Sequence, residues 1–111
     1  MECLFCKIVQ GEIPAKKLFE DEDTLAFFDI NPAAPSHVLV IPKAHYDSIL
    51  ECDNANMLGK LVASAKRAAQ ELNICETGYR IVINTGENGG QTIGHLHLHV
   101  LGGRQLGWPP G

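Results

Sequence analysis

Hydrophobic and polar positions recur along the chain with periods that divide it into short elements. In the stretch 54–73, apolar side chains recur at three- and four-residue intervals, which is the period of an amphipathic helix. They are Met57, Leu58, Leu61, Val62, Ala65, Ala68, Ala69 and Leu72. Asn73 follows as a candidate cap for the end of this helix. Near the amino terminus, CLFCKIVQG predicts a short helical turn that Gly11 closes.

Strand patterns account for much of the remaining chain. The apolar runs KKLFED and TLAFFDI predict a hairpin, and HVLVIP predicts a strand that Pro42 ends. YRIVINTG and HLHLHVLGG predict the last two strands, which a glycine-rich loop over 86–94 joins. Apart from the connection that contains the long helix, the joins between strands are too short for parallel crossovers. We therefore expect an α+β fold, with an antiparallel sheet of about five strands and one long and one short helix.

Composition and charge narrow the classes of protein that fit this pattern. The 111 residues suit one domain with a modest core, and no apolar run reaches the ~20 residues that span a membrane. The net charge of −4, with no basic cluster longer than Lys16 and Lys17, argues against broad nucleic-acid binding. Acid and lysine come too early for a signal peptide, so we expect a cytoplasmic protein. In that reducing compartment, the four cysteines are expected to be thiols or metal ligands.

Three of the five histidines, His95, His97 and His99, occur at two-residue spacing in the last strand pattern. Alternate side chains of a strand share a face, so the imidazoles project together while the apolar residues between them face the helix. These histidines could be polar residues on a solvated sheet face, or ligands of a shared zinc ion. They could also be catalytic imidazoles that act at phosphorus. The preceding loop favours catalysis, because its glycines let backbone N–H groups approach a phosphate. Side-chain donors in or beside the loop are Asn84, Gln91 and Thr92.

The segment HLHLHVL at 95–101 resembles the fingerprint of the histidine triad (HIT) proteins. The similarity extends over nearly the whole chain, through CLFCKIVQGEIPA, LAFFDINPAAPSHVLVIPKAH and GGQTIGHLHLHVLGGRQLGWPPG. The closing stretch is similar to the Hint branch of nucleoside phosphoramidate hydrolases. The resemblance implies one HIT domain over residues 1–111, in a two-fold homodimer whose sheet continues from one subunit to the other.

By position, the resemblance implies a role for each part of the site in a double displacement at the α-phosphorus of purine nucleoside 5′-phosphoramidates. His97 would be the nucleophile, His99 would contact the phosphate and assist protonation of the leaving group, and His37 would lie near both. AMP or GMP would be released, and no cofactor is required for the chemistry. Asp29 would accept hydrogen bonds from the ribose, and Trp108, in the terminal GWPPG, would reach toward the partner's site. The base would contact Phe5, Ile8, Phe27, Phe28 and Ile30, and the phosphate and leaving group would contact Asn84, Gly90, Gln91 and Thr92.

Cys3 and Cys6 have the spacing of a zinc-binding pair, but two thiolates are only half a site. The resemblance implies the other half, since some bacterial HIT proteins hold a structural zinc ion with such a pair and two histidines. By position these histidines are His45 and His95. The alternative is two reduced cysteines that pack on a short helix.

Three functions are compatible with these residues. The first is a HIT hydrolase with His97 as nucleophile, and the second is a zinc-stabilised nucleotide-binding interaction module with incidental hydrolysis. The third is a zinc hydrolase that uses the His-x-His pair, but a closed Cys₂His₂ shell would leave no coordination position for water. HIT relatives usually carry a larger residue where this chain has Gly94, directly before His95. The resemblance therefore does not identify the leaving group of the substrate.

Overall fold

A five-stranded antiparallel sheet with a helix against each face forms the part of the chain, residues 3–111, that this computed structural model describes. The helices are α1 (Leu4–Val9) and α2 (Ala55–Glu71), and a 3₁₀ turn covers Ile49–Glu51. The strands are β1 (Lys17–Glu20), β2 (Thr24–Phe28), β3 (Ser36–Pro42), β4 (Tyr79–Val82) and β5 (Leu98–Gly102). Their order in the sheet is β1-β2-β3-β5-β4, and every neighbouring pair is antiparallel. The predicted α+β fold is confirmed.

The two faces of the sheet bury different side chains. On one face, α2 packs on the apolar residues that alternate with the triad histidines, as predicted. On the other face, Phe5 and Ile8 of α1 pack against Phe27 and Leu39. The Phe5 ring also contacts the His97 ring, so α1 lies on the face that carries the triad. The histidine row is therefore a largely buried surface between a helix and the sheet, and a solvated sheet face is the wrong description of it.

The α2 helix follows the predicted apolar stripe except at Val62. This side chain is 51% exposed, because its neighbour Leu61 faces the sheet and successive helical residues point about 100° apart. Ser64 takes a buried place in the stripe instead, where its hydroxyl lies 2.9 Å from Thr24 Oγ1. Neither α2 nor any other helix in residues 3–111 is long and apolar enough to cross a membrane.

The end of α2 is set by Asn73. Its φ of 58° lies in the left-handed region, which asparagine adopts more readily than most residues. The N–H groups of Asn73 and Ile74 donate to the carbonyls of Gln70 and Ala69, which is the Schellman pattern of helix termination. The prediction that Asn73 caps this helix is thus confirmed.

The β5 strand begins at Leu98 and not, as the alternation predicted, at His95. Continuing the β3–β5 register would place Leu96 opposite Pro42, which has no N–H for the ladder. The Leu96 N–H donates instead to the Tyr46 carbonyl over 2.7 Å. The first two triad histidines therefore precede the strand, on backbone that leaves the sheet.

Candidate functional site

A pocket of about 340 Å³ opens between α1 and the triad face of the sheet. Its lining includes every residue that was predicted to form the base pocket, namely Phe5, Ile8, Phe27, Phe28 and Ile30. The polar side chains of Asp29, Thr92, His97 and His99 line the same pocket. An apolar wall next to carboxylate, hydroxyl and imidazole groups suits a ligand with a flat base and a polar phosphate.

His97 is held in one orientation and one tautomer. Its Nδ1 lies 2.7 Å from the His95 carbonyl oxygen, which can only accept, so Nδ1 carries the proton of the neutral ring. The Phe5 ring contacts the imidazole edge-on, with centroids 5.2 Å apart, and the His97 side chain is buried. The remaining nitrogen, Nε2, therefore keeps a lone pair on a ring that lines the pocket.

A chain of hydrogen bonds orients the other two histidines. The Ala33 N–H donates to His37 Nδ1 over 3.0 Å, so the proton of the neutral His37 ring is on Nε2. That Nε2 lies 2.9 Å from His99 Nδ1 and 3.6 Å from a carboxylate oxygen of Asp29. His99 thus accepts at Nδ1, and its own N–H at Nε2 is left to donate to a ligand.

Burial keeps these two rings neutral. Desolvation lowers the pKa of His37, although the Asp29 carboxylate opposes the effect. The pKa of His99 falls to about 4, because the ring is desolvated and lies beside His97 and His37. Near neutral pH, neither ring carries the extra proton that would reverse the direction of the hydrogen-bond chain.

Cys3, Cys6, His45 and His95 converge where α1 begins. His95 Nδ1 lies 3.3 Å from Cys3 Sγ, 3.6 Å from Cys6 Sγ and 3.2 Å from His45 Nδ1. Cys6 Sγ lies 3.3 Å from His45 Nδ1. A tetrahedral zinc ion bonded at ~2.3 Å to sulfur and ~2.0 Å to nitrogen separates its ligands by roughly 3.3–3.8 Å. The four side chains therefore have the spacing of a Cys₂His₂ zinc site.

The outer nitrogens of the two cluster histidines decide where their protons lie. His45 Nε2 donates to the Asp47 carboxylate over 2.7 Å, and His95 Nε2 donates to the Pro42 carbonyl over 2.9 Å. Each neutral ring therefore turns its lone pair inward at Nδ1, and the two Nδ1 atoms face each other at 3.2 Å. The two inward lone pairs and the two cysteine sulfurs form a donor set for a metal ion, so the residues fit a metal ion in orientation as well as in spacing.

The glycine-rich loop is organised by its own side chains. Asn84 Nδ2 donates to the Gly89 carbonyl over 2.7 Å, and Gln91 Oε1 accepts from the Gly86 N–H over 3.1 Å. Gln91 Nε2 donates to the Asp47 carbonyl over 2.6 Å. These hydrogen bonds connect the loop to the segment that follows His45, one of the four side chains of the Cys₂His₂ group.

Some of the predicted substrate contacts lie outside the pocket in the described chain. These are Asn84, Gly90, Gln91 and Trp108. Gly90 and Gln91 line an adjoining groove, which Thr92 and Ile93 connect to the pocket. Trp108 is 82% exposed, on a tail whose Gly107 carbonyl accepts from Arg80 over 2.7 Å. One chain on its own does not bring this tryptophan to the pocket.

Three groups that act on the site had little or no signal in the sequence. The Ala33 N–H and the Pro42 carbonyl are backbone atoms, which any residue could supply at a suitable position. Asp47 had a weak signal, a carboxylate two residues after a histidine in PKAHYD. Several lining residues were also missed, namely Leu4, Ile13, Pro14, Ala15, Asn31, Leu39 and Ile93.

Comparison with known proteins extends these observations. The HIT domain family profile matches residues 10–106. The chain is 49% identical to a HIT-like protein of Synechococcus elongatus, over 99% of this chain and 97% of the relative. It is 47% identical to the 14 kDa zinc-binding protein of Zea mays, over 97% of this chain and 87% of the relative.

Solved structures give the same picture. A HIT family hydrolase from Legionella pneumophila superposes with a TM-score of 0.96 at 51% identity, covering 99% of this chain and 100% of the other. A histidine triad nucleotide-binding protein from Candida albicans superposes with a TM-score of 0.86 at 34% identity, covering 97% of this chain and 83% of the other. At these identities the likeness concerns the sequence as well as the fold.

Proposed function

The chain belongs to the HIT domain family, and from this premise we propose that it hydrolyses purine nucleoside 5′-phosphoramidates and related nucleoside monophosphate conjugates, releasing AMP or GMP. The observation that carries the proposal is the His97–His95 hydrogen bond of 2.7 Å, which leaves Nε2 of a pocket-lining imidazole with its lone pair. Similarity to a protein described as a HIT family hydrolase supports hydrolysis. Similarity to a histidine triad nucleotide-binding protein supports a nucleotide as the ligand.

Two displacements at phosphorus complete the reaction. In the first, the bond between His97 Nε2 and phosphorus forms, the P–N bond of the substrate breaks, and the departing nitrogen takes a proton from solvent with the assistance of His99. In the second, the oxygen of a water molecule bonds to phosphorus, the Nε2–P bond breaks, and the water returns a proton to solvent. The covalent intermediate replaces one difficult step with two easier ones. The N–H of His99 would donate to a phosphoryl oxygen and stabilise the charge that develops there.

The rest of the pocket would bind the nucleoside. Asp29 Oδ1 accepts from the Asn31 N–H over 2.8 Å, which holds the carboxylate between the apolar wall and the histidines. A carboxylate there would accept hydrogen bonds from the ribose hydroxyls. Phe5, Phe27 and Ile30 would contact the base, and a purine would bury more surface on them than a pyrimidine.

The His97→Ala variant tests the proposal directly. Without the nucleophile, kcat/KM for an adenosine 5′-phosphoramidate should fall by at least about 1,000-fold, while AMP binding stays within a few-fold of wild type. Release of AMP by wild type and variant, with and without a chelator, measures the first quantity, and calorimetry with AMP measures the second. Equal turnover by the two proteins would exclude His97 as nucleophile. Nucleotide binding without turnover by either protein would favour the nucleotide-binding module instead.

We also propose that Cys3, Cys6, His45 and His95 hold a structural zinc ion. Their spacing and inward-facing lone pairs support this, as does similarity to a protein described as zinc-binding. When bound, the ion would join α1 to the segment before β5, with all its coordination positions occupied by protein. The hydrolytic steps would not use it. A cytoplasmic location would keep the two thiols reduced for the metal.

We further propose a single HIT domain over residues 1–111 that forms a two-fold homodimer. Two features of the described chain support a partner. The β4 strand lies at an edge of the sheet, and edge strands carry unpaired backbone groups that neighbouring chains can cover. Trp108 and Val62 are large apolar side chains left exposed. Association would also bring the tail of one subunit near the other.

A further inference from the structure

A second cavity, a groove of about 670 Å³, adjoins the nucleotide pocket. Thr92 and Ile93 line both spaces, and Thr92 is also predicted to contact the phosphate and the leaving group, so the groove opens from the part of the pocket where we place the leaving group. Its other walls come from residues of the segment 47–51 and of the loop 85–91. Once the nucleoside fills the apolar pocket, this groove is the adjoining space into which the other substituent of the phosphorus can extend.

Gly94 lies in the wall of this groove, at a position where the backbone does not need glycine. A Cβ at Gly94 would meet no atom within 4 Å, and the φ of this residue lies outside the left-handed region. Two loop glycines differ, because Gly90 has a φ of 78° and a Cβ at Gly89 would lie 2.3 Å from the Thr85 carbonyl oxygen. The effect of glycine at position 94 is therefore to leave space in the groove, and not to allow a turn.

The charges around the groove restrict what can occupy it. Asp47, Glu51 and Glu87 line it, and no lysine or arginine is among its lining residues. Anionic groups would be repelled, although solvent and salt screen exposed charges. A neutral or cationic group larger than ammonia suits both the volume and the charge.

We propose that Gly94 is a specificity-determining residue, which opens the groove to bulky amine leaving groups that carry no negative charge. The inference rests on the proposed hydrolase function and names the leaving-group class for that same site. A large side chain at position 94 would fill the groove near Thr92 and exclude a bulky amine. It would lie outside the nucleoside pocket, because Gly94 does not line that pocket.

The test compares two adenosine 5′-phosphoramidates, one of methylamine and one of cyclohexylmethylamine. Both leaving groups are primary alkylamines of similar basicity, so differences in chemical reactivity cancel when kcat/KM ratios are compared between proteins. In Gly94→Tyr, the ratio of bulky to small substrate should fall by about 10-fold or more relative to wild type. Hydrolysis of the methylamine substrate should stay within about threefold of wild type. Gly94→Ala, which fills little of the groove, should leave the ratio near that of wild type.

The outcomes separate this inference from the proposed function. An unchanged ratio in a Gly94→Tyr protein with wild-type AMP affinity and melting temperature would overturn the role of Gly94 alone. An equal loss on both substrates would overturn it too, because the side chain would then act on the common chemistry. Hydrolysis of neither substrate by wild type would overturn the proposed function, and this inference with it. A third substrate, made from 6-aminohexanoate, should be cleaved more slowly by wild type than its neutral amide analogue, and equal rates would overturn the charge restriction.

Discussion

At the scale of single residues, His95 serves two sites at once. Its imidazole belongs to the cysteine and histidine cluster, while its carbonyl oxygen holds Nδ1 of His97 at 2.7 Å. The side chain is fully buried, and Pro42 fixes its outer nitrogen. Movement of the proposed metal ligand would therefore move the group that sets the tautomer of the proposed nucleophile.

Asp47 should tune the affinity of the proposed zinc site. Its carboxylate accepts from His45 Nε2 over 2.7 Å and so keeps Nδ1 free for the metal. Loss of such an outer hydrogen bond typically weakens metal binding by about 10–100-fold. We expect that weakening in Asp47→Ala, which removes the acceptor, measured by competition with a chromophoric chelator. Asp53→Ala, which removes another exposed carboxylate outside the cluster, serves as the control, and equal affinities for both variants would contradict the prediction.

His99 should make the protein less stable as the pH falls. Desolvation and its histidine neighbours lower the pKa of this ring from the ordinary value of 6.5 to about 4. The unfolded chain therefore binds more protons in this interval, so the stabilisation is complete above pH 6.5 and is lost as the pH falls toward 4. Because the ring is partly solvated, we expect titration of His99 to lower the free energy of unfolding by on the order of 1–2 kcal/mol as the pH falls from 6.5 to 4.

Urea unfolding across this pH range measures the effect. His99→Gln keeps a donor and an acceptor but cannot titrate, so its free energy of unfolding should fall less steeply than that of wild type. Both proteins carry the same cysteine and histidine cluster, so acid release of a metal ion affects the two curves alike. Parallel curves would exclude His99 as the source. Glu20, whose pKa is lowered to about 2 by Lys17 and Lys43, titrates at still lower pH.

At the scale of elements, α1 depends on its surroundings for stability. A helix of six residues is far below the length of about 12–15 residues at which isolated helices become marginally stable. Cys3 caps it, since its sulfur accepts from the Cys6 N–H over 3.3 Å. Phe5 and Ile8 bury their side chains against the sheet. The wall that α1 gives to the pocket therefore depends on these few contacts and on the proposed metal.

Removal of zinc should loosen α1 selectively. A chelator takes away the proposed link between this helix and the segment before β5, whereas α2 is held by its own apolar stripe. Hydrogen exchange of the α1 amides should accelerate by at least about tenfold, with little change in α2. The melting temperature should also fall. Unchanged exchange in α1 after complete removal of bound zinc would contradict the prediction, and uniform acceleration would indicate global destabilisation instead.

The elements that the sequence predicted well are those decided by local periodicity. The long helix and its cap at Asn73 follow from the spacing of apolar residues and from the tolerance of asparagine for left-handed backbone. The start of β5 could not be predicted from local periodicity. Alternation in the triad continues back to His95, but the partner strand reaches Pro42, which has no N–H to pair. Strand ends depend on the residue opposite, and this residue is distant in the chain.

At the scale of the whole molecule, the fold of one chain leaves large apolar side chains exposed, and a second chain could cover them. Trp108 is 82% exposed and Val62 is 51% exposed, and β4 is an edge strand of the sheet. We expect sedimentation equilibrium at micromolar concentration to give twice the chain mass of 12.1 kDa.

The single tryptophan provides an independent measurement of the proposed homodimer. Its emission should shift to shorter wavelength as concentration drives association, because the indole leaves water. Trp108→Phe removes the signal and controls for the assignment. A monomeric mass, with emission typical of exposed indole at all concentrations, would contradict the homodimer.

The sequence by itself determined the class of fold and the family, while the chemistry at the histidines stays a prediction. Periods of two and 3.6 residues follow from backbone geometry, so HLHLHVL and the α2 stripe were readable without coordinates. Family resemblance indicated part of the pocket lining, such as Phe5, Ile30 and His99, but missed other lining residues, and the roles of those it indicated stay predictions.

Only the tertiary structure decided which distant groups meet, because these contacts join chain segments that local periodicity does not relate. It brought His37 within 2.9 Å of His99, placed His45 beside Cys6, and showed that the backbone of Ala33 sets the direction of the hydrogen-bond chain. It also showed Gly94 beside open space. Tautomers, metal geometry and cavity shape depend on atoms brought together by folding over distances that no local pattern encodes.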